Sequence, residues 1–454
     1  MKQAKEKDPY KMTTGQMLAW NGRGVSIAAN VVVLTYLTFY CTNMLGLPAA
    51  LTGTLLLVSK VFDGFTDLVA GFIIEKTNTR FGKARPYEFS IIGVWLCTIL
   101  LYSCPDFGTT GKCIWVFVMY TFVNSIFATF LSSAETVYLA RAFKYEEDRI
   151  KLASVSGILV MLFCTIVSMV FPILMGELGT SKGGWTTIAS IFAIPLLLLG
   201  ITRFFFVKEK VEVDAEAASN LTVSDFLEGL KSNKYIYLLF FVSLLTFIVS
   251  NMGNAVGTYY FEYIVGDVKK MSVIGMLGLV TPVALMFCPL ILRKISTSQM
   301  ILIGGIVGAV GCVIKGFAGT NMVILIIGNL LATLSVLPLS YFAALIVIDI
   351  MDYHECKTGK RVEAVFGSIY GLSSKLGAGL ASGLVGLVMG MSGFDGMAAV
   401  QSDEAIHTII SLYSWIPAVL MAITSVLMMF FDLEKKLPQM KEEYQKKKTM
   451  TDCE

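Results

Sequence analysis

The sequence predicts an all-α polytopic membrane protein of twelve transmembrane helices in two six-helix halves, and three observations carry that reading. The first is composition: of 454 residues, 55% are hydrophobic and only 15% are charged, whereas a soluble chain carries about a quarter charged residues. The second is that apolar runs of about twenty residues, enough for one helix to cross a bilayer, recur along the whole length. The third is the placing of lysine and arginine, which gather in alternate loops. The lipid bilayer is therefore the expected surrounding. A net charge of +3 gives no reason to expect nucleic acid as a partner.

The polar start, MKQAKEKDPYKMTTGQ, runs into apolar sequence without a small-residue cleavage site. It reads as a cytoplasmic tail ahead of an uncleaved first helix, not as a signal peptide. Hydropathy places the first six spans near Met17–Tyr40, Ala49–Ile74, Phe89–Ser103, Ile114–Ala140, Leu152–Met175 and Trp185–Phe206. After a polar break come Tyr235–Tyr263, Met271–Leu292, Met300–Ala318, Asn321–Asp349, Val365–Met391 and Ile406–Phe431. The expected domains are residues 1–207, a connector 208–234, residues 235–435 and a tail 436–454. Within the connector, LTVSDFLEGLKSNK reads as a short amphipathic helix with Thr222 or Ser224 as N-cap.

One side of the bilayer receives Lys76, Arg80, Lys83, Arg85, Arg141, Lys144, Arg149, Lys151, Arg203, Lys208 and Lys210. The same side receives Arg293, Lys294, Lys357, Lys360 and Arg361. The other side has Lys112, Lys182, Lys269 and Lys270. By the positive-inside rule both termini are cytoplasmic. The NLT at Asn220 then lies on the cytoplasmic side, where its match to a glycosylation pattern carries no meaning. The nine cysteines are scattered, without a CxxC or a Cys/His cluster, so neither a metal site nor a disulfide framework is expected. Cys104 and Cys113 flank one external loop and read as inert thiols. No nucleophile–base or metal constellation points to an enzyme.

The chemistry lies in polar residues inside the spans. In VFDGFTDLVAGFI, Asp63, Thr66 and Asp67 follow i, i+3, i+4 spacing and share one face of the second helix. Acids in a span are costly and functional by default. Oxygen-only ligands suit a small hard cation such as Na⁺, and two adjacent carboxylates also suit a proton. The bland alternative is an ion pair with Lys60, Lys375 or Arg23. Lys375 lies in a Gly/Ser-rich eleventh span whose small residues allow close packing. It reads either as a cavity lysine that approaches the two acids when no cation is bound, or as a snorkelling one. Arg23, in WNGRGVSIAAN, is either a positive-inside anchor or a cavity residue able to hold an anionic group bidentately. Lys60 is similarly placed, and Lys315 marks a helix end. In the fourth span Thr129, Ser132, Ser133, Glu135 and Tyr138 either line a polar cavity or bond their own helix backbone. Tyr36, Tyr120, Tyr259, Tyr260 and Tyr341 read as core or interface-belt aromatics.

Two stretches, VFDGFTDLVAGFIIEKTNTRFGKARPY and DIMDYHECKTGKRVEAVFGSIYGLSSKLGAG, resemble the glycoside–pentoside–hexuronide:cation symporters. That family includes the melibiose carrier and is a branch of the major facilitator superfamily. The two-half layout extends the likeness over nearly the whole chain. The resemblance implies a cell-membrane symporter of a sugar or glycoside, coupled to Na⁺, Li⁺ or H⁺ and needing no other cofactor. Asp63, Thr66 and Asp67 match the family's cation site, Thr129 falls where a fourth-helix threonine completes it, and Lys375 matches the lysine beside it. Cation binding then neutralises the acids and releases Lys375. The family's sugar-binding acids have no counterpart here: the first helix reads GVSIAAN, and Ser132 stands where the fourth-helix acid aligns. Arg23, Asn30, Ser132 and Glu135 are the substrate-binding candidates in their place. The rivals are a same-fold carrier of a lysophospholipid or another amphiphilic or anionic solute, and a non-transporting receptor.

Overall fold

A computed structural model describes residue 8 and residues 10–211, 234–358, 363–398 and 400–451. The expected connector helix and Asn220 lie outside the described residues. Among these residues every regular element is helical, and the sole β pairing is an isolated bridge between Thr79 and Gly82.

The first six spans are α1 (Thr14–Met44), α2 (Ala49–Lys76), α3 (Ser90–Leu101), α4 (Thr109–Ala142), α5 (Glu146–Leu178) and α6 (Lys182–Phe206). Then come α7 (Lys234–Tyr263), α8 (Val268–Leu292), α9 (Thr297–Gly316), α10 (Met322–Thr358) and α11 (Glu363–Met391). Helix α12 joins Asp403–Ile410, Ser411–Trp415 and Ile416–Met429. Among the described residues, ten of these helices are long and apolar enough by themselves to cross a membrane. The other two are α2, which carries Lys60, Asp63 and Asp67, and α3, which is 12 residues long and is led in by the 3-10 turn Arg85–Phe89. Large apolar side chains such as Phe65, Met286 and Phe317 stand exposed. That is a costly surface in water and the expected one in lipid.

Local sequence fixes the helix starts. Thr13 accepts from the Gln16 amide at 3.3 Å while the Gln16 side chain accepts from the Thr13 amide at 3.0 Å, a capping box that opens α1. Ser296 and Gln299 repeat the device ahead of α9. Three spans contain a wide π turn: Tyr40–Met44 in α1, Phe122–Ala128 in α4 and Ser411–Trp415 in α12. Such turns recur at functional sites.

The chain forms two compact units. The first takes Met1–Ala217 with Phe261–Leu279 and Gly386–Ser402; the second takes Ala218–Tyr260, Val280–Val385 and Asp403–Glu454. Close backbone approach explains why the short segments join the first unit. A Cβ on Gly386 would stand 2.5 Å from the Ala49 carbonyl oxygen, and one on Gly275 would stand 2.7 Å from that of Ser168. Tyr263 Oη also accepts from Asn43 Nδ2 at 2.6 Å. Tyr36 stacks on Phe171 at 4.1 Å and is buried, as are Tyr120, Tyr259 and Tyr260, whereas Tyr341 is exposed. Cys104 and Cys113 are free thiols. In the second unit α9 and α10 meet through small residues: a Cβ on Gly311 would stand 2.8 Å from the Gly328 carbonyl oxygen. Lys315, near the end of α9, is buried with its ammonium 4.4 Å from the Tyr413 ring centroid.

Candidate functional site

The seam between α2 and α4 is polar within an apolar bundle. Asp63 is 6% exposed, and its Oδ1 accepts a hydrogen bond from Thr129 Oγ1 at 3.0 Å. The same hydroxyl lies 3.2 Å from the Asn124 carbonyl oxygen. Thr129 directly follows the π turn Phe122–Ala128, where the widened helix brings the carbonyl five residues back within its reach. The Thr66 hydroxyl lies 3.2 Å from the Phe62 carbonyl and 3.1 Å from the Asp63 carbonyl. Its proton is thus spent on backbone and its lone pairs remain as acceptors. Asp67, one turn beyond Asp63, is partly buried.

Other contacts hold the seam in place. Lys60 Nζ donates to Asn124 Oδ1 at 3.0 Å, and Asn124 Nδ2 donates to the Tyr120 carbonyl at 3.1 Å. Ser59 and Thr121 share a hydroxyl–hydroxyl bond of 2.9 Å. Asn124 therefore serves Lys60 with its side chain and Thr129 with its carbonyl. An all-oxygen set that includes carboxylates is the chemistry of a hard monovalent cation or a proton. Thr129→Val keeps the shape and removes the hydroxyl, leaving Asp63 short of a buried donor. The expected cost is about 1–3 kcal/mol of stability, measured as a lower thermal midpoint in detergent, with Thr129→Ser restoring most of it.

A second constellation lies nearer the lysine- and arginine-rich end of the same unit. Arg23 Nη2 pairs with Glu135 Oε2 and donates to the Leu131 carbonyl at 3.0 Å. Arg203 Nη1 meets Glu135 Oε2 at 2.9 Å, and its Nη2 meets Oε1 at 3.2 Å. Behind them Glu88 lies 3.5 Å from Arg23 Nε and 3.6 Å from Arg203 Nε. Two arginines and two glutamates thus balance. The Arg203 guanidinium sits 3.1 Å from the Trp20 ring centroid, a stacking contact favoured by its planar charge. Arg23, Glu88 and Arg203 are buried, whereas the Glu135 side chain is 35% exposed.

Of the substrate-binding candidates, the structure brings Arg23 and Glu135 together. Ser132, one turn before Glu135, is exposed and donates to the Thr129 carbonyl at 3.0 Å. Asn30 lies apart, 3% exposed, with Nδ2 donating to Thr98 Oγ1 at 2.8 Å, which ties α1 to α3. Lys375 is partly buried on α11 in the second unit. Sequence alone does not single out Glu88, and it counts Arg203 only among the basic residues of the cytoplasmic side. The available signals were a glutamate opening an apolar run in RPYEFSII and an arginine inside GITRFFF.

Among the described residues the chain is all helical and brings a carboxylate and a hydroxyl together inside its apolar spans, an arrangement suited to a membrane transporter. The chain belongs to the MFS/sugar transport protein family, which matches residues 24–435, and within it to the glycoside–pentoside–hexuronide:cation symporters. It is 27% identical over 416 residues to the isoprimeverose transporter of Lactiplantibacillus pentosus, covering 90% of this chain and 86% of the relative. It is 24% identical over 420 residues to a glucuronide carrier protein homolog of Escherichia coli K12, covering 88% of each. A putative glycoside/cation symporter of the same organism is 24% identical over 417 residues, with 87% of each covered. The fold is similar to that of a D-xylose–proton symporter, with a TM-score of 0.65 at 15% identity over 92% of this chain and 97% of that one. A nucleoside transporter gives 0.64 at 14% identity over 91% and 99%.

Proposed function

We propose that this chain is a cation-coupled symporter that imports a sugar or glycoside by alternating access, with Asp63, Thr66, Asp67 and Thr129 as the ligands of the coupling cation. One observation carries the reading: a buried carboxylate on α2 meets a hydroxyl that the π turn of α4 presents to it. Na⁺ is the first candidate ion, with Li⁺ and H⁺ as the alternatives. The sugar or glycoside class comes from the relatives, whose names include a transporter of isoprimeverose and a glycoside/cation symporter. Glu135 and Ser132, which reach the surface of the unit, are the proposed substrate contacts, with Arg23 holding the Glu135 carboxylate in place. Asn30 is spent on Thr98 and ranks behind them. The lysine and arginine pattern supports a cell-membrane location with both termini on the cytoplasmic side.

Lys375 is the proposed coupling residue. Linkage requires that the cation raise substrate affinity by the factor by which substrate raises cation affinity. The test is uptake into proteoliposomes of a labelled glycoside panel headed by isoprimeverose, under Na⁺, Li⁺ or proton gradients. Accumulation above equilibrium with one ion is expected; no accumulation of any glycoside with any of the three would sink the reading. For whichever ion acts, calorimetry should show about 5–150-fold tighter substrate binding in its presence. Lys375→Ala should remove that enhancement. An equal enhancement in both proteins would leave the lysine a packing or snorkelling residue.

A further inference from the structure

Lys60 and Asp63 stand three residues apart on α2, and residues at that spacing share one face of a helix. Asp63 is buried, and a lysine one turn away is a natural rival for any cation that its carboxylate would hold. The Lys60 ammonium nevertheless goes elsewhere: Nζ donates to Asn124 Oδ1 at 3.0 Å and lies 5.6 Å from the Tyr120 ring centroid. Asn124 is set for this task. It lies inside the π turn Phe122–Ala128, and its Nδ2 donates to the Tyr120 carbonyl at 3.1 Å. That bond orients the amide so that Oδ1, the acceptor of the side chain, is turned to a group that can only donate. The register of the two helices is pinned beside it. Ser125 Oγ donates to the Ser59 carbonyl at 3.2 Å, Ser59 shares its hydroxyl–hydroxyl bond with Thr121, and both serines are buried.

We propose that Asn124 is a positioning residue of the cation site: it holds the Lys60 ammonium off Asp63 and so keeps it from competing there with the coupling cation. The inference rests on the reading of Asp63 and Thr129 as ligands of that cation. Three features favour a clamp over a packing contact. With the lysine on the N-terminal side of the acid, the helical pair stands in its weaker order, so one amide acceptor is enough to divert the ammonium. The amide is also neutral, so it holds Lys60 without adding another acid beside Asp63. Finally, the Asn124 carbonyl lies 3.2 Å from the Thr129 hydroxyl, so the residue that diverts Lys60 also backs the group that meets Asp63. Loss of the Asn124 side chain lets the ammonium swing one turn along α2, where it becomes a tethered rival of the cation.

The test uses the full chain in detergent, titrated with Na⁺ and with Li⁺ while choline holds the ionic strength constant. Affinity is read by calorimetry and from the ion-dependent rise in thermal midpoint that a ligand of the folded state produces. Asn124→Leu removes the acceptor and keeps the backbone. It should weaken binding at least about tenfold, a fraction of what a unit charge about 4 Å away can exert. Adding Lys60→Met to Asn124→Leu should bring the affinity back to near the wild-type value, the non-additivity that marks a coupled pair. Asn124→Asp, which keeps an acceptor for Lys60, should bind at least as tightly as the wild type. Should Asn124→Leu fail to fold, Asn124→Ala carries the same test with a smaller side chain. Unchanged affinity in Asn124→Leu overturns the proposal. So does a loss that Lys60→Met leaves in place, which marks Asn124 as a strut of the π turn. A wild type that binds neither ion saturably removes the metal-ion reading of Asp63 itself, and this inference with it.

Discussion

Asp63→Asn should abolish uphill accumulation of glycoside in vesicles while the protein still folds and inserts. The amide is close in shape to the carboxylate, and its oxygen still accepts from Thr129, so the α2–α4 contact survives. What disappears is the capacity to carry a negative charge. Two unit charges 4 Å apart attract by about 4 kcal/mol at an effective dielectric of about 20, on the order of a thousandfold in cation affinity. The measurement pairs gradient-driven accumulation with gradient-free exchange and with a folded-yield control. Wild-type accumulation by a correctly folded Asp63→Asn protein would remove Asp63 from the cation site. Asp67→Asn should act in the same direction and less strongly, because Asp67 is more exposed.

The second large effect is on stability. Arg203 is wholly buried and faces both Glu88 and Glu135. Arg203→Met leaves Glu88, 1% exposed, with one arginine, Arg23 at 3.5 Å, in place of two. Breaking a buried pair from one side costs about 3–5 kcal/mol, whereas replacing both partners by apolar groups is often neutral. Arg203→Met and Glu88→Met should therefore each lower the thermal midpoint sharply in detergent. The double variant should recover most of the loss, with a positive coupling. Simple addition of the two losses would show that the four charges do not act as one network.

The legible part of the site was the part that lies within a single helix. Asp63, Thr66 and Asp67 declare themselves because i, i+3, i+4 spacing is a property of one short stretch. Thr129 stands out locally only as one of several fourth-span polar groups, and family likeness alone joins it to the acids, since no local rule links the fourth span to the second. The π turn that positions it has no residue signature: FVNSIFA reads as ordinary apolar helix. Glu88 and Arg203 escaped for a related reason. A charge near a helix end is read as an anchor, and what makes these two different is a partner far away in the chain. The spans themselves were legible because their apolar runs are set by bilayer thickness, which does not depend on neighbours. The grouping of Phe261–Leu279 and Gly386–Ser402 with the first unit depends on which backbones can approach, and hydropathy is blind to that.

The π turn in α4 also sets a phase. An α-helix advances about 100° per residue, so one surplus residue between Thr121 and Thr129 rotates everything after it relative to everything before. Ahead of the turn, Trp115 fastens α4 to α3 through its bond to the Leu100 carbonyl. Beyond it, Thr129 faces Asp63 and Glu135 faces Arg23 and Arg203. Removing a single residue from Phe122–Ala128 restores the regular winding and swings the hydroxyl and the glutamate away together. Opening or closing the turn by one hydrogen-bond step has the same sense without any change of sequence. The helix is thus geared, and its two polar contacts move on one shaft.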